Sequence, residues 1–348
     1  MLIEHVVLCY IPSHTRFTRL FSDIGVVAIG RNEGSRLEAC LRSALRDSPH
    51  VVYVDSGSDD NSVEVAGQLG ADVVHLDTTR PFSAARGRNA GFQRLIENVP
   101  NLKFVQFVDG DCEIAVGWIE AGRRAFAAHP DLAAVCGRRR ERYPDASVFN
   151  LLCDIEWNTP IGETRACGGD AIVRCDVLQS VGGYNERVIA AEDDEVCVRI
   201  RQQGWKLRRI DCEMTLHDAD MHRLSQWWRR CVRCGHGFAQ GFAMHGRPPE
   251  RHFAKPFRSV LFWGGVLPLI AILLIWPTRF MSLGVLMLAY AVLWAKVTRT
   301  YRRRGLPTSS SMIYAASCVG GKIPEFIGAC KYGWRRLTRS TTQIIEYK

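Results

Sequence analysis

Three times within the first 111 residues, a short apolar run ends abruptly in a cluster of polar and acidic side chains. Ile24 to Ile29 stops at Gly30-Arg31-Asn32-Glu33-Gly34. Val51 to Val54 stops at Asp55-Ser56-Gly57-Ser58-Asp59-Asp60, and Phe104 to Val108 at Asp109-Gly110-Asp111. Apolar runs this short, without alternation, suit strands buried on both faces. Between them, Leu37, Leu41, Ala44 and Leu45 recur at helical spacing. Ser62 to Leu69 and Arg86 to Ile96 read as further helices, with Ala71 to Leu76 as another strand. Strands alternating with helices predict an open, mostly parallel α/β sheet flanked by helices. Ligands of such sheets bind at the carboxyl ends of the strands, and all three polar clusters fall there.

The rest of the chain bounds the class. It has 348 residues, 47% apolar and 23% charged, with 45 Lys and Arg against 36 Asp and Glu for a net charge of +9. This is globular composition, neither disordered nor collagen-like. Thirteen cysteines show no paired framework. Cys231 and Cys234 form a C-x-x-C without a second pair at zinc-site spacing, so reduced, mostly buried thiols are expected. The excess positive charge lies late, in Arg229, Arg230, Arg233, Lys255 and Arg258, then Arg299, Arg302, Arg303 and Arg304. These residues flank apolar runs, which points to a membrane and away from nucleic acid.

Ser259 to Trp276 carries no charge and is long enough for one bilayer crossing. Phe280 to Ala295 is slightly short, and Lys296 can snorkel at its end. Pro277-Thr278-Arg279 links them tightly, and basic residues crowd the outer flanks, so both flanks are expected on the cytoplasmic side. A buried, in-plane or re-entrant helix pair is the competing reading. Met312 to Gly333 is interrupted by Lys322, Pro324, Glu325 and Lys331 and reads as an interfacial helix. The predicted organisation is an N-terminal extension over 1–22, an α/β domain over 23–245 and a membrane-associated helical region over 246–348. The candidate spans of that region are 259–276 and 280–295, with the interfacial helix at about 312–333. The first residues lack a signal-peptide pattern.

The strand ends suggest chemistry. Asp109 and Asp111, on either side of a glycine, are able to hold a hard divalent cation, although Asp-Gly-Asp is also good turn chemistry. Asp55 suits a ribose or base, or a helix cap. Arg86 and Arg88 suit a diphosphate, or solvent. Glu192-Asp193-Asp194-Glu195 opens a helix, where acidic residues favour the dipole, yet a carboxylate near a metal is also a candidate general base. His217, beside Asp218, is a candidate third metal ligand.

Taken together and in order, these pieces resemble the family 2 glycosyltransferases with the GT-A fold, from about Ile24 to Gly237. The carrying motifs are VVAIGRNEGSRLEACLRSA, VVYVDSGSDDNS, ARGRNAGF, VDGDC, GGDAIVR, GGYNE and AEDDEVCVRI. The resemblance implies a Rossmann-like open mixed sheet of GT-A type, followed by the C-terminal membrane-associated helices. It implies donor contacts from Asn32, Glu33, Asp55, Arg88 and Asp109, and Mg²⁺ or Mn²⁺ on Asp109 and Asp111, with His217 as the further candidate ligand. It places Gly168, Gly169 and Asp170 on the acceptor side. Asp193 is the implied general base for an inverting displacement, with Glu192 beside it in the catalytic pair. Processive members carry Q-x-x-R-W after this point. Here Gln226, Trp227 and Arg229 stand in acceptor-side positions, but Arg230 replaces the final tryptophan, which favours transfer of single sugars. The expected partners are a nucleotide-sugar donor, a UDP-sugar foremost, a lipid-linked or cell-envelope glycan acceptor, and membrane lipid, with no nucleic acid. The expected location is the inner membrane with the α/β domain cytoplasmic, in exopolysaccharide or lipopolysaccharide assembly. A processive synthase and a non-catalytic membrane scaffold are the alternatives. A nucleotidyltransferase would leave the 192–195 cluster unexplained, and a dehydrogenase would need a G-x-G-x-x-G that does not follow the first strand.

Overall fold

The computed structural model describes residues 21–338. Nine strands form one sheet: β1 (Ile24–Gly30), β2 (Val51–Asp55), β3 (Asp72–His75), β4 (Phe104–Asp109), β5 (Cys112–Ile114), β6 (Leu132–Glu141), β7 (Gly162–Glu163), β8 (Ile172–Arg174) and β9 (Lys206–His217). Their order is β3-β2-β1-β4-β8-β6-β9-β5, with β7 also on β9. The β3-β2-β1-β4 half is parallel, as the alternating pattern predicts. β8 runs antiparallel to both β4 and β6, and β5 and β7 run antiparallel to β9, so the whole sheet is mixed. The antiparallel strands β5, β7 and β8 have two or three residues each, too few to show a periodicity.

Helices α1 (Ser35–Asp47), α2 (Ser62–Leu69), α3 (Ala84–Asn98), α4 (Trp118–Ala128), α5 (Val148–Trp157), α6 (Cys175–Ser180) and α7 (Glu192–Gln202) lie between or after the strands. The core is built on β1, β2 and β4, where Val26, Val27, Ala28, Val52, Tyr53, Val105 and Phe107 are buried. Gln106 and Trp118 are buried with them, and the indole N–H donates to Gln106 Oε1 at 2.7 Å, so neither polar group is left unmet.

Strand register decides where the polar clusters end up. Gly30 sits opposite Asp55, and Ile29 opposite Asp109. On the other half, His217 sits opposite both Cys112 and Glu141. Two levels of side chains therefore meet at one edge of the sheet.

α8 (Leu224–His245) leaves the sheet and leads to the C-terminal helices. The first of these is continuous from Ala254 to Leu273, as α9 (Ala254–Val260), a π-helical turn (Leu261–Val266) and α10 (Leu267–Leu273). α11 spans Met281–Arg303, and residues 274–280 form the turn between them. Both helices are long and apolar enough to cross a membrane. At their outer ends they run past the stretches 259–276 and 280–295 through the basic flanks, and at their inner ends they stop short because residues 274–280 turn. Their apolar side chains point outward, with Leu273 67% and Met287 66% exposed.

The segment 312–333, expected as one interfacial helix, is two. α12 (Thr308–Gly320) and α13 (Lys322–Thr338) meet at Gly321. α13 lies along α8 and the first apolar helix at backbone contact. A Cβ on Gly235 would meet Glu325 O, one on Gly328 would meet Val232 O, and one on Gly264 would meet Lys322 O. Trp334 and Leu337 remain exposed on α13. Most of the 1–22 extension lies outside the described residues. Phe21, at its end, donates its backbone N–H to Asp47 O at 2.9 Å and lies under the Arg123 guanidinium. The described cysteines are free thiols, and Cys231 and Cys234 occupy successive turns of α8.

Candidate active site at the carboxyl ends of the strands

Asp55 ends β2 buried, and its carboxylate organises the loop that follows. Oδ2 accepts from the N–H groups of Gly57 at 2.9 Å and Ser58 at 3.0 Å, while Oδ1 accepts from the hydroxyls of Ser58 and of Tyr53. The β1 loop is tied to this one. Asn32, at φ 55°, accepts from Asp59 N–H through Oδ1 at 2.9 Å, and its own N–H donates to Ser58 Oγ. Glu33 pairs with Arg36 at 3.0 Å. The two loops thus form one preorganised wall, with Asn32 exposed at its rim.

The two arginines of α3 separate in role. Arg86 donates to the carbonyls of Asp77, Arg80 and Pro81 and locks the segment before α3. Arg88 is 3% exposed, and its guanidinium bridges Asp109 Oδ1 at 2.9 Å and Glu192 Oε1 at 2.5 Å. Those two carboxylates hold it firmly cationic despite burial. Gly169 is required beside it, because a Cβ there would strike the guanidinium.

Arg139, on β6, reaches the same place from the opposite side. Its Nη2 lies 3.3 Å from Asp109 Oδ2, and its Nε lies 3.4 Å from Asp170 Oδ2. Its guanidinium also covers the Trp157 ring at 4.8 Å. Asp170 is buried, accepting from Thr215 Oγ1 at 2.7 Å and from Asp109 N–H at 3.4 Å. It braces the Asp109 turn from inside.

Asp109 and Asp111 fall into different clusters. Among the described residues, two sets of ligand atoms lie within 4.8 Å of one another: Asp111, Cys112 and His217, and Asp109, Cys112 and Asp170. His217 is 4% exposed, and its Nε2 lies 3.4 Å from Asp111 Oδ2. Burial, then Arg139, holds the imidazole below its usual pKa, so it is neutral and able to ligate. Burial pushes the Cys112 thiol up, so it stays protonated. The donors left are carboxylate oxygen and one imidazole nitrogen. They fit a hard divalent ion such as Mg²⁺ or Mn²⁺.

α7 opens at Ala191, a non-glycine residue at φ 60°, a strained backbone that sets the direction of the carboxylates after it. The four then sort by partner. Glu192 pairs with Arg88. Glu195 is buried between Arg199 at 2.7 Å and His245 Nε2 at 3.0 Å, binding α7 to α8. Asp193 accepts from Asp194 N–H at 2.9 Å, and its carboxyl is pushed up to about 6 by burial and by Glu192, with Arg88 opposing. Asp194 is also pushed up, by burial and by the charge of Asp193, while Arg201 pulls it back. Gly168, at φ 73°, leaves Asp193 Oδ2 in ordinary contact distance of any Cβ placed there.

On α8, Trp227 packs with Trp157 against the buried residues Cys153, Ala219 and Met221. Gln226 Oε1 accepts from the N–H groups of His222 and Arg223 at 2.9 Å, closing the turn that enters the helix. Trp227 donates to Ser317 Oγ on α12 at 3.0 Å. Arg229 is exposed, and Arg230 pairs with Glu156 at 2.8 Å. The sequence reading did not single out Arg139, Glu141 or Trp157. The available signal was Arg138-Arg139-Arg140-Glu141 closing the apolar run Leu132 to Val135, the same stop that marks the other strand ends.

An open mixed sheet with acidic and basic side chains gathered at one edge is the GT-A class of fold. A solved mannosyltransferase from Pyrobaculum calidifontis, in complex with GDP-Man and Mn²⁺, has this fold. It aligns with a TM-score of 0.56 over 92% of this chain and 89% of its own, at 18% identity. Residues 26–176 match the model of glycosyl transferase family 2. The pre-mycofactocin glycosyltransferase of Mycobacterium tuberculosis is 27% identical over 235 residues, covering 63% of this chain and 46% of that protein. The O-antigen chain rhamnosyltransferase RfbN of Salmonella typhimurium is 24% identical over 172 residues, covering 45% of this chain and 53% of that protein. The chain spans about half the length of the curated relatives it matches.

Proposed function

We propose that this protein transfers a single sugar from a nucleotide-sugar donor to a lipid-linked or cell-envelope glycan acceptor at the cytoplasmic face of the inner membrane. The observation that carries this reading is the convergence of Arg88, Asp109 and Glu192, which brings the β4 end and the start of α7 into one buried contact. Asp193 follows Glu192 directly, so the proposed base lies next to the proposed donor site.

In this reading, Asp55 and the Asn32–Glu33 loop take the base and ribose, with a UDP-sugar as the first donor to test. Asp111 and His217 would hold Mg²⁺ or Mn²⁺, with Asp109 beside them, and the ion would supply positive charge where the leaving group becomes negative. Asp193 accepts the proton of the acceptor hydroxyl. The freed oxygen bonds to the anomeric carbon as the carbon–oxygen bond to the diphosphate breaks, inverting that carbon. Arg88 and Arg139 face the departing charge, and their fixed positions lower the reorganisation needed there.

Membrane placement follows from the exposed apolar helices. Lys255 and Arg258 begin the first, while Arg299, Arg302 and Arg303 close the second, so both basic ends of the hairpin lie on one side. The relatives are named as an O-antigen chain rhamnosyltransferase and a pre-mycofactocin glycosyltransferase, and the Pyrobaculum neighbour holds GDP-Man, so GDP- and dTDP-sugars belong in the same screen.

The test is nucleotide release by detergent-solubilised protein across UDP-, GDP- and dTDP-sugars. Release with one donor is expected, with loss of at least about 10²-fold on chelation and in Asp111→Asn, since metal stabilisation of the leaving group is worth several kcal/mol. Absence of both donor binding and release for every nucleotide sugar would refute the enzyme and favour a scaffold.

A further inference from the structure

We propose that Glu141 is a positioning residue that fixes the tautomer and direction of His217, so that Nε2 is the atom offered to the cation. This rests on reading Asp111 and His217 as ligands. Glu141 ends β6, is 3% exposed, and lies opposite His217 in the register. Among the described residues, no lysine or arginine pairs with it. Its four contacts are all with donors or the imidazole. Oε1 accepts from Tyr143 N–H at 3.2 Å and Asn150 Nδ2 at 3.3 Å, and Oε2 accepts from Ala219 N–H at 3.1 Å and faces His217 Nδ1 at 3.3 Å.

Oε2 serves as an acceptor here, taking Ala219 N–H as well, so the proton of a neutral imidazole sits on Nδ1. Nε2 then carries a lone pair, and it faces another acceptor, Asp111 Oδ2, at 3.4 Å. Two buried acceptors aimed at each other repel unless a cation lies between them. The Trp157 ring, edge-on at 4.7 Å, limits rotation of the imidazole. Carboxylate, imidazole and cation in line is the arrangement by which outer carboxylates raise ligand basicity and hold ring orientation.

The experiment is a titration of the full chain in detergent with Mn²⁺, alone and with UDP or GDP, reading free Mn²⁺ by electron paramagnetic resonance. Wild type, Glu141→Gln, His217→Ala and the double variant are compared. Glu141→Gln is expected to weaken Mn²⁺ binding about 10- to 100-fold, and to add little when His217 is already alanine. A directly bound imidazole nitrogen should appear in the spin-echo modulation of wild type and vanish in His217→Ala. An equal loss in both backgrounds would overturn the inference, since Glu141 would then only brace the Tyr143–Asn150 and Ala219 segments. Unchanged affinity in Glu141→Gln, or Mn²⁺ bound without imidazole nitrogen, would overturn it too. If Glu141→Gln does not fold, Glu141→Asp keeps the charge and withdraws the oxygens, and the same dependence on His217 is required. Nucleotide release with a failed cycle would sink this inference and spare the transferase. A successful cycle without release from any donor would do the reverse.

Discussion

Asp193→Asn is expected to slow sugar transfer about 10²- to 10⁴-fold, the usual worth of a positioned general base, while nucleotide-sugar affinity stays within a few-fold of wild type. The choice of Asp193 over its neighbours follows from where each carboxylate is committed. Glu192 is spent on Arg88, and Glu195 on Arg199 and His245. Asp194 feels Arg201, whereas Asp193 feels Arg88 and Asp109 and so lies beside that cluster. A carboxyl pushed up to about 6 is a stronger base than an ordinary aspartate and is still ionised at neutral pH. The kcat/KM profile should therefore fall on its acid side near pH 6. Asp194→Asn is the control, and a larger loss there than in Asp193→Asn would transfer the role.

The same shift predicts a stability gain. A carboxyl raised in the folded state binds its proton more tightly there than in the unfolded chain. Between about pH 4 and 6 the unfolded chain therefore carries fewer protons, and stability falls as pH rises through that window. Asparagine removes the penalty and can still accept from Asp194 N–H. Asp193→Asn should be more stable than wild type above pH 6, by about 1–3 kcal/mol, and no more stable below pH 4. Thermal unfolding of both proteins across pH 3–8 checks this, and parallel curves would contradict it.

The parallel half of the fold is legible in the sequence because its strands are apolar runs with abrupt polar stops. Asp55 and Asp109 end their strands within one residue of each other, opposite Gly30 and Ile29 of β1, for the same reason: each is the first polar residue after such a run. The other half is hidden. β5, β7 and β8 are too short to carry a pattern, and the long pairing of β6 with β9 joins residues some seventy positions apart through several register shifts. That pairing sets Glu141 beside His217 and swings Arg139 over Asp109, contacts that no local spacing encodes. The motif of Gln226 and Trp227 is visible in the chain, and the structure adds where their polar atoms go, to the α8 entry turn and to α12.

Arg88→Met is expected to lower the stability of the metal-free protein by about 3–5 kcal/mol, because it removes one partner of a buried ion pair and strands the other. For a domain of this size that is a fall of roughly 10 °C in Tm. Glu192 bears most of the loss: its side chain is 7% exposed and Arg88 is its ion-pair partner, whereas Asp109 is 30% exposed and keeps Arg139 at 3.3 Å. Arg88→Met combined with Glu192→Gln should therefore regain most of the lost stability, and combination with Asp109→Asn much less. Donor affinity separates the structural role from the chemical one. If the guanidinium also serves the diphosphate, the Arg88→Met, Glu192→Gln protein will fold like wild type yet bind nucleotide sugars weakly. Recovery of donor binding together with stability would confine Arg88 to holding α3, β4 and α7 together, and would leave Arg139 as the arginine that meets the departing charge.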